Sequence, residues 1–164
     1  MTIDVGECDS PVGRLTFVVR DGKTLCALQF PESWPRLESR LGVAGRPRAA
    51  DPGGVATRLR AYFAGALDAL AAIPVDPAGT PFQRRVWAEL RRIAPGETTS
   101  YGALARTLGM PGAARAVGAA NRTNPIGIVV PCHRVIGADA TLTGYAGGLD
   151  RKRWLLAHEK ALLA

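Results

Sequence analysis

At 164 residues and 47% apolar composition, the chain has room for one ordinary domain or two small ones, and general disorder is excluded. No apolar run approaches the roughly 18 residues of a membrane helix, and the N-terminus lacks the charged-then-apolar pattern of a signal peptide, so the expectation is a soluble, cytoplasmic protein without a membrane partner. The formal charge of +7 is uneven: residues 1–75 carry nine Lys and Arg against eight Asp and Glu, residues 76–164 twelve against six. A basic C-terminal half makes nucleic acid the natural partner, although an arginine-rich composition with no ligand gives the same count.

The N-terminal stretch reads as strands and tight turns. Ile3-Asp4-Val5 is followed by a turn at Ser10-Pro11-Val12-Gly13, then by Leu15, Phe17 and Val19 in alternation. Asp21-Gly22 turns the chain into a third strand, Leu25 to Phe30, completing a small antiparallel sheet. Residues 31–54 hold four prolines and a Gly-Gly pair, which predicts a short helix over 36–41 and then a loop. A better helix is expected from Val55 to about Leu70, with Leu59, Tyr62, Phe63 and Leu67 on one face. Ile73 to Gly79 reads as a linker at the change of charge, dividing a structural domain, 1–75, from a second, 76–164.

Thr80-Pro81-Phe82-Gln83 is a helix start: a threonine cap, proline in the first turn and glutamine three positions on. Phe82, Val86, Leu90 and Ile93 follow at helical spacing until Pro95-Gly96. Ser100 to Leu108 and Ala113 to Asn121 form two short helices around a Gly-containing turn, the pattern of a helix-turn-helix or of a plain αα-hairpin. The second helix is nearly all Ala and Gly, leaving Arg115, Asn121 and Arg122 as polar contacts. So smooth a helix can approach a nucleic-acid backbone or minor groove and read little sequence. The glycine-rich stretch from Gly137 to Leu149 can approach a flat ligand, and Asp150 is expected to cap a last helix with Trp154, Leu155, His158 and Leu162 on one face.

Between these elements, Ile126 to Val130 reads as a buried β-branched strand that ends at Pro131 and delivers Cys132 and His133. Thiol chemistry runs through the thiolate, and at a reference pKa of about 8.5 a thiol needs a base or cation beside it. His133 and Arg134 are the adjacent groups of that kind. A buried structural cysteine beside a solvated His-Arg pair fits the same dipeptide. The three cysteines, Cys8, Cys26 and Cys132, are far apart with no C-x-x-C spacing, which argues for free thiols in a reducing compartment. With no histidine in the first half, no metal is assigned, and no cofactor. A helix-turn-helix regulator without chemistry and a cysteine hydrolase are the competing readings.

Pro131-Cys132-His133-Arg134-Val135 after Asn124-Pro125, preceded by Ser100-Tyr101 and Ala114-Arg115-Ala116-Val117-Gly118 and followed by Tyr145-Ala146-Gly147-Gly148-Leu149, closely resembles the O6-alkylguanine-DNA alkyltransferases. The resemblance covers residues 80–160; residues 1–75 match in length and strand character. It implies an α+β fold, with a small antiparallel sheet and flanking helices, then a mainly helical domain with the helix-turn-helix and the cysteine turn. It implies that Cys132 takes the alkyl group from the guanine oxygen, once and irreversibly, as a thioether. His133 would draw the thiol proton, Glu159 would orient His133, Tyr101 would relieve charge on the departing guanine, and Asn124 would tie the helices to the active-site turn. Arg115 would fill the space of an extruded nucleotide, with Ala114, Asn121, Arg122 and Thr123 beside it on DNA. The carbonyls of Cys132 and Val135 would accept from the guanine amino group. Tyr145, Ala146, Gly147 and Gly127 would line the pocket. Gly127 replaces a more usual alanine or proline, implying a wider pocket, and Ala146 lacks a hydroxyl that some relatives carry. The expected partner is double-stranded DNA carrying alkylated bases, met by a monomer; alkyl range, guanine or thymine preference and cooperative assembly on DNA stay open.

Overall fold

The computed structural model describes residues 1–137 and 144–161. The chain divides into two compact units, Met1–Ala78 with Pro125–Gly127, and Gly79–Asn124 with Ile128–Ala164.

In the first unit, β1 (Ile3–Cys8), β2 (Leu15–Arg20) and β3 (Thr24–Gln29) form an antiparallel sheet in that order. Asp21 and Gly22, at φ 53° and 65°, make the tight turn between β2 and β3, closed by Lys23 N donating to Arg20 O at 3.1 Å. Val18 pairs with Ala27 and Val19 with Leu25, so Cys26 is the extra residue of a β-bulge.

The alternation expected along β2 is absent, because Thr16 and Val18 are buried along with Leu15, Phe17 and Val19. Both faces of the sheet are covered. On one face, Val5, Val18 and Ala27 pack with Val43 and with Trp34 and Leu37 of α1 (Trp34–Leu41), which starts two residues earlier than predicted. On the other, Phe17 and Pro52 close over Gly6, where an added Cβ would lie 2.5 Å from the Phe17 ring and 2.8 Å from Pro52.

The next helix, α2, is shorter than predicted: it spans Val55–Phe63 and stops because Gly65 takes φ 116°. Residues 64–73 are turns and irregular chain, and the expected run to Leu70 is not helical. The predicted linker is in part an edge partner of β3: Leu25 N donates to Pro74 O at 2.9 Å and Asp76 N to Leu25 O at 3.0 Å. Further along β3, Leu28 N donates to Pro125 O at 2.9 Å and Gly127 N to Leu28 O at 3.1 Å.

The second unit opens with α3 (Pro81–Leu90), started by a complete capping box in which Thr80 Oγ1 accepts from Gln83 N at 3.2 Å and Gln83 Oε1 from Thr80 N at 2.9 Å. The helix ends three residues before Ile93. Its buried Val86 and Leu90 face the interior, and Trp87 Nε1 donates to Ala120 O at 2.8 Å.

Next come β4 (Thr99–Ser100), α4 (Tyr101–Thr107) and α5 (Ala114–Arg122), the two helices joined by a turn with Gly109 at φ 74°. After the cysteine turn, β5 (Val135–Ile136) pairs parallel with β4, and α6 (Leu149–His158) follows. Gly148, not Asp150, is the N-cap of α6; Asp150 lies one residue inside the helix, fully exposed, and makes no cap bond. Lys152, Leu155, Leu156 and Glu159 form the buried stripe of this segment, whereas Trp154 and His158 are half-buried and stacked at 4.9 Å. Leu162, expected on the same face, lies outside the described residues. Among the described residues no helix is long and apolar enough to cross a membrane.

Candidate active site

The segment before Cys132 is not the strand its composition suggests. Ile126 makes a single parallel bridge to Leu28, and residues 127–129 then turn, with Ile128 at φ 68°. A left-handed conformation costs a β-branched residue about 1–2 kcal/mol, and full burial holds it in place. The backbone of such a segment has no ladder, so side chains satisfy it: Arg91 Nη1 donates to Val129 O at 3.2 Å and Asn124 Nδ2 to Val130 O at 2.8 Å. Pro131, at φ −83° and ψ 64°, makes an inverse γ-turn closed by Cys132 N donating to Val130 O at 2.8 Å. Cys132–Arg134 then form one 3-10 turn that leads into β5. The thiol is therefore fixed by a pinned turn.

His133 is fully buried. Its Nε2 lies 2.9 Å from Glu159 Oε2. Arg134 grips the same carboxylate with two bonds, Nε to Oε1 at 2.9 Å and Nη2 to Oε2 at 2.8 Å, while Nη1 donates to Ile93 O at 2.6 Å. Burial alone would push the Glu159 carboxyl up, but the hydrogen bonds from Arg134 and His133 outweigh it and hold it well below the usual carboxylate range. An ionised Glu159 accepts only, so the proton of neutral His133 sits on Nε2 and the lone pair on Nδ1. That nitrogen is buried, with no hydrogen-bond partner among the described residues. Burial and the neighbouring Arg134 and Lys152 charges push the imidazole below its ordinary value despite Glu159.

Cys132 is buried, and burial pushes its thiol up, against the opposing pull of the Asn124 side chain and the Lys152 charge. Resting Cys132 is a thiol, and its use as a nucleophile needs a base. Asn121 Nδ2 donates to Cys132 O at 3.3 Å, and Lys152 Nζ to Val135 O at 2.6 Å. Burial pushes the Lys152 ammonium down to about 8.

Tyr101, Ala114, Arg115, Gly118, Arg122 and Gly144 line a concavity of about 380 Å³, within the range of small-ligand clefts. Four residues singled out by sequence, Tyr101, Ala114, Arg115 and Arg122, thus meet at one place. Thr123 is exposed next to Arg122. Asn121, grouped with them as a surface contact, is instead buried with its amide turned to the cysteine turn, because position 121 falls on the inward stripe of α5 with Val117 and Ala120. Gly127, expected in the pocket, has Phe30 and Leu28 as its neighbours. Tyr145 and Gly147 are half-buried and Ala146 exposed; residues 138–143 of the glycine-rich stretch lie outside the described residues. Sequence reasoning missed the inward roles of Lys152 and Arg134. The signal for Lys152 was the spacing Lys152, Leu155, Leu156, Glu159, a helical stripe with a charge at each end.

Two short helices joined by a tight turn, and a buried cysteine followed by a histidine paired with a glutamate, define a thiol-bearing protein with a helix-turn-helix layout in its second unit. Residues 81–161 match the model of the 6-O-methylguanine DNA methyltransferase DNA-binding domain, and residues 5–77 that of the ribonuclease-like domain of the same proteins. The chain is 49% identical over 160 residues to the methylated-DNA–protein-cysteine methyltransferase of Shigella flexneri, covering 94% of each. Its fold is similar to the crystal structure of Mycobacterium tuberculosis O6-methylguanine methyltransferase, with TM-score 0.82, 46% identity and coverage of 97% of this chain and 93% of that one. It is also similar to Mycobacterium tuberculosis OGT in complex with DNA, with TM-score 0.79, 47% identity and coverage of 96% and 92%. The chain belongs to the 6-O-methylguanine DNA methyltransferase family, and its class is that of the methylated-DNA–protein-cysteine methyltransferases.

Proposed function

We propose that this chain repairs alkylated DNA by moving the alkyl group of O6-alkylguanine, with O4-alkylthymine as the related substrate, onto Cys132. His133 Nδ1 receives the thiol proton, directly or through a water. The Cys132 sulfur then forms the new S–C bond as the C–O6 bond breaks, and the electron pair leaves with the guanine, where Tyr101 relieves the charge with its hydroxyl. The thioether is a poor leaving group, so each molecule acts once. The observation that carries this reading is the His133 Nε2 to Glu159 Oε2 bond of 2.9 Å, which fixes the tautomer and leaves Nδ1 as a lone-pair nitrogen next in sequence to a thiol that needs a base.

Residues 76–164 carry the chemistry and meet the DNA; residues 1–75 serve as the structural partner. Exposed Arg115 and Arg122 beside the Tyr101 concavity suit a DNA surface, and the DNA complex of the Mycobacterium tuberculosis relative supports the same partner here. The reacting carbon is out of reach in stacked DNA, so the alkylated nucleotide rotates out of the duplex and Arg115 takes its place. Tyr145, Ala146 and Gly147 line the base pocket, and the carbonyls of Cys132 and Val135 take the guanine amino group. The protein works as a monomer in the cytoplasm.

The test is intact-mass measurement after incubation with an O6-methylguanine duplex. The expected result is one methyl per chain, carried on the tryptic peptide Thr123–Arg134, with no further turnover and none in Cys132→Ala. Continuous turnover, or methyl on Cys8 or Cys26, refutes the assignment.

A further inference from the structure

Arg134 is not needed to explain the transfer step, yet it is buried in the middle of the site. A carboxylate 2.9 Å from an imidazole in a low-dielectric interior ordinarily draws a second proton onto the ring. A histidine charged in that way holds protons on both nitrogens and has no lone pair with which to receive another. Orientation by Glu159 and service as a base are therefore in conflict, unless something offsets the carboxylate charge.

The fork of Arg134 is placed to do so. It occupies both oxygens of Glu159, at 2.9 and 2.8 Å, and its remaining arm is anchored on Ile93 O at 2.6 Å. A guanidinium also matches the two oxygens of a carboxylate with a rigid, planar fork. The same Oε2 accepts from Arg134 Nη2 and from His133 Nε2.

We propose that Arg134 is a positioning residue for the transfer: it cancels the charge of Glu159 while leaving Oε2 able to accept from His133, so that the imidazole is held in place yet stays neutral and keeps its Nδ1 lone pair for the Cys132 proton. The proposal rests on the role of His133 as base set out above. The charged groups acting on the ring are Arg134 from the 3-10 turn and Lys152 and Glu159 from the α6 segment; of these three charges, Glu159 alone favours imidazolium. Removing Arg134 therefore tips the balance toward the charged ring.

The experiment uses the full chain and three variants, Arg134→Met, Glu159→Gln and the double Arg134→Met/Glu159→Gln. Two quantities are measured: the His133 titration by nitrogen NMR, and the single-turnover rate of methyl transfer from an O6-methylguanine duplex as a function of pH. In Arg134→Met the titration is expected to rise by about one pH unit or more. Its transfer rate falls about tenfold for each pH unit below the raised titration and recovers as the pH passes it. In the double variant the carboxylate charge is gone as well, so the titration and the shape of the pH profile return toward those of the unmodified protein. This variant removes the buried Arg134–Glu159 pair whole instead of leaving one half of it, so it also carries the test if Arg134→Met does not fold. A folded double variant without transfer, or an Arg134→Met protein slowed equally at every pH with an unmoved His133 titration, overturns the proposal and makes Arg134 a structural brace. If the unmodified protein leaves no methyl on Cys132, the reading of the site itself is at fault, not the inference about Arg134.

Discussion

Lys152 gives the prediction that the structure determines most closely. The side chain is fully buried, its ammonium donates to Val135 O at 2.6 Å, and burial pushes its ionisation down to about 8. An unfolded chain holds that proton up to about pH 10.4. Below about pH 8 both states are protonated, and the folded state carries the full cost of the buried charge. Between about 8 and 10.4 the unfolded chain binds more protons than the folded one, so stability rises with pH; above that range the cost is gone. A shift of this size corresponds to roughly 3 kcal/mol. We therefore expect the stability of the protein, relative to Lys152→Met, to rise by about 3 kcal/mol from pH 7 to pH 10.5. Both proteins should carry Cys132→Ala, so that the thiol does not titrate in the same window. Urea unfolding at half-unit pH intervals measures the difference. Parallel stability curves for the two proteins would refute the argument, since they would mean that Lys152 titrates alike folded and unfolded.

Four further outcomes are expected. Gly6→Ala places a methyl 2.5 Å from the Phe17 ring and 2.8 Å from Pro52, and should cost about 1–3 kcal/mol, read as a lower melting temperature. Tyr101→Phe keeps the ring in the concavity but removes the hydroxyl; transfer should slow at least about tenfold in single-turnover assays, with DNA affinity unchanged by gel shift. Arg115→Ala should slow transfer from duplex DNA more than from a single-stranded oligonucleotide, where no stacked partner has to be replaced. Gly127→Ala meets only ordinary contacts, the nearest Phe30 at 3.6 Å, and should leave the relative rates on methyl and benzyl substrates unchanged; a shifted preference would return Gly127 to the pocket.

Features encoded locally were legible from the residues. The Thr80–Gln83 capping box and the Ser100 cap are side chains bonding backbone within three residues, and the Asp21-Gly22 turn rests on two adjacent residues that tolerate positive φ; all three lie where the sequence puts them. Cys132, His133 and Glu159 were legible as a set only through the resemblance, because Glu159 is remote in sequence and reaches His133 across the packed unit. The errors share one cause. Ile126 to Val130 looked like a strand because β-branched residues signal burial on all sides, and here burial accompanies an irregular backbone capped by Asn124 and Arg91. Asn121 was read as a surface contact, and the inward roles of Arg134 and Lys152 were missed, because polarity predicts exposure, whereas each is buried against a specific partner that composition does not reveal.

The three residues Pro125–Gly127 have a consequence for how this protein can be dissected. The chain leaves the second unit after Asn124, lends Ile126 to the edge of β3, and comes back at Ile128 four positions ahead of Cys132. Cutting at Gly79 is therefore expected to leave residues 79–164 short of one support: it strips the cover from Ile126 and frees one anchor of the loop that leads to Cys132. Chimeras that exchange the first unit between relatives will succeed or fail on whether the donor sheet offers a Leu28-like edge to that loop, whatever its resemblance elsewhere.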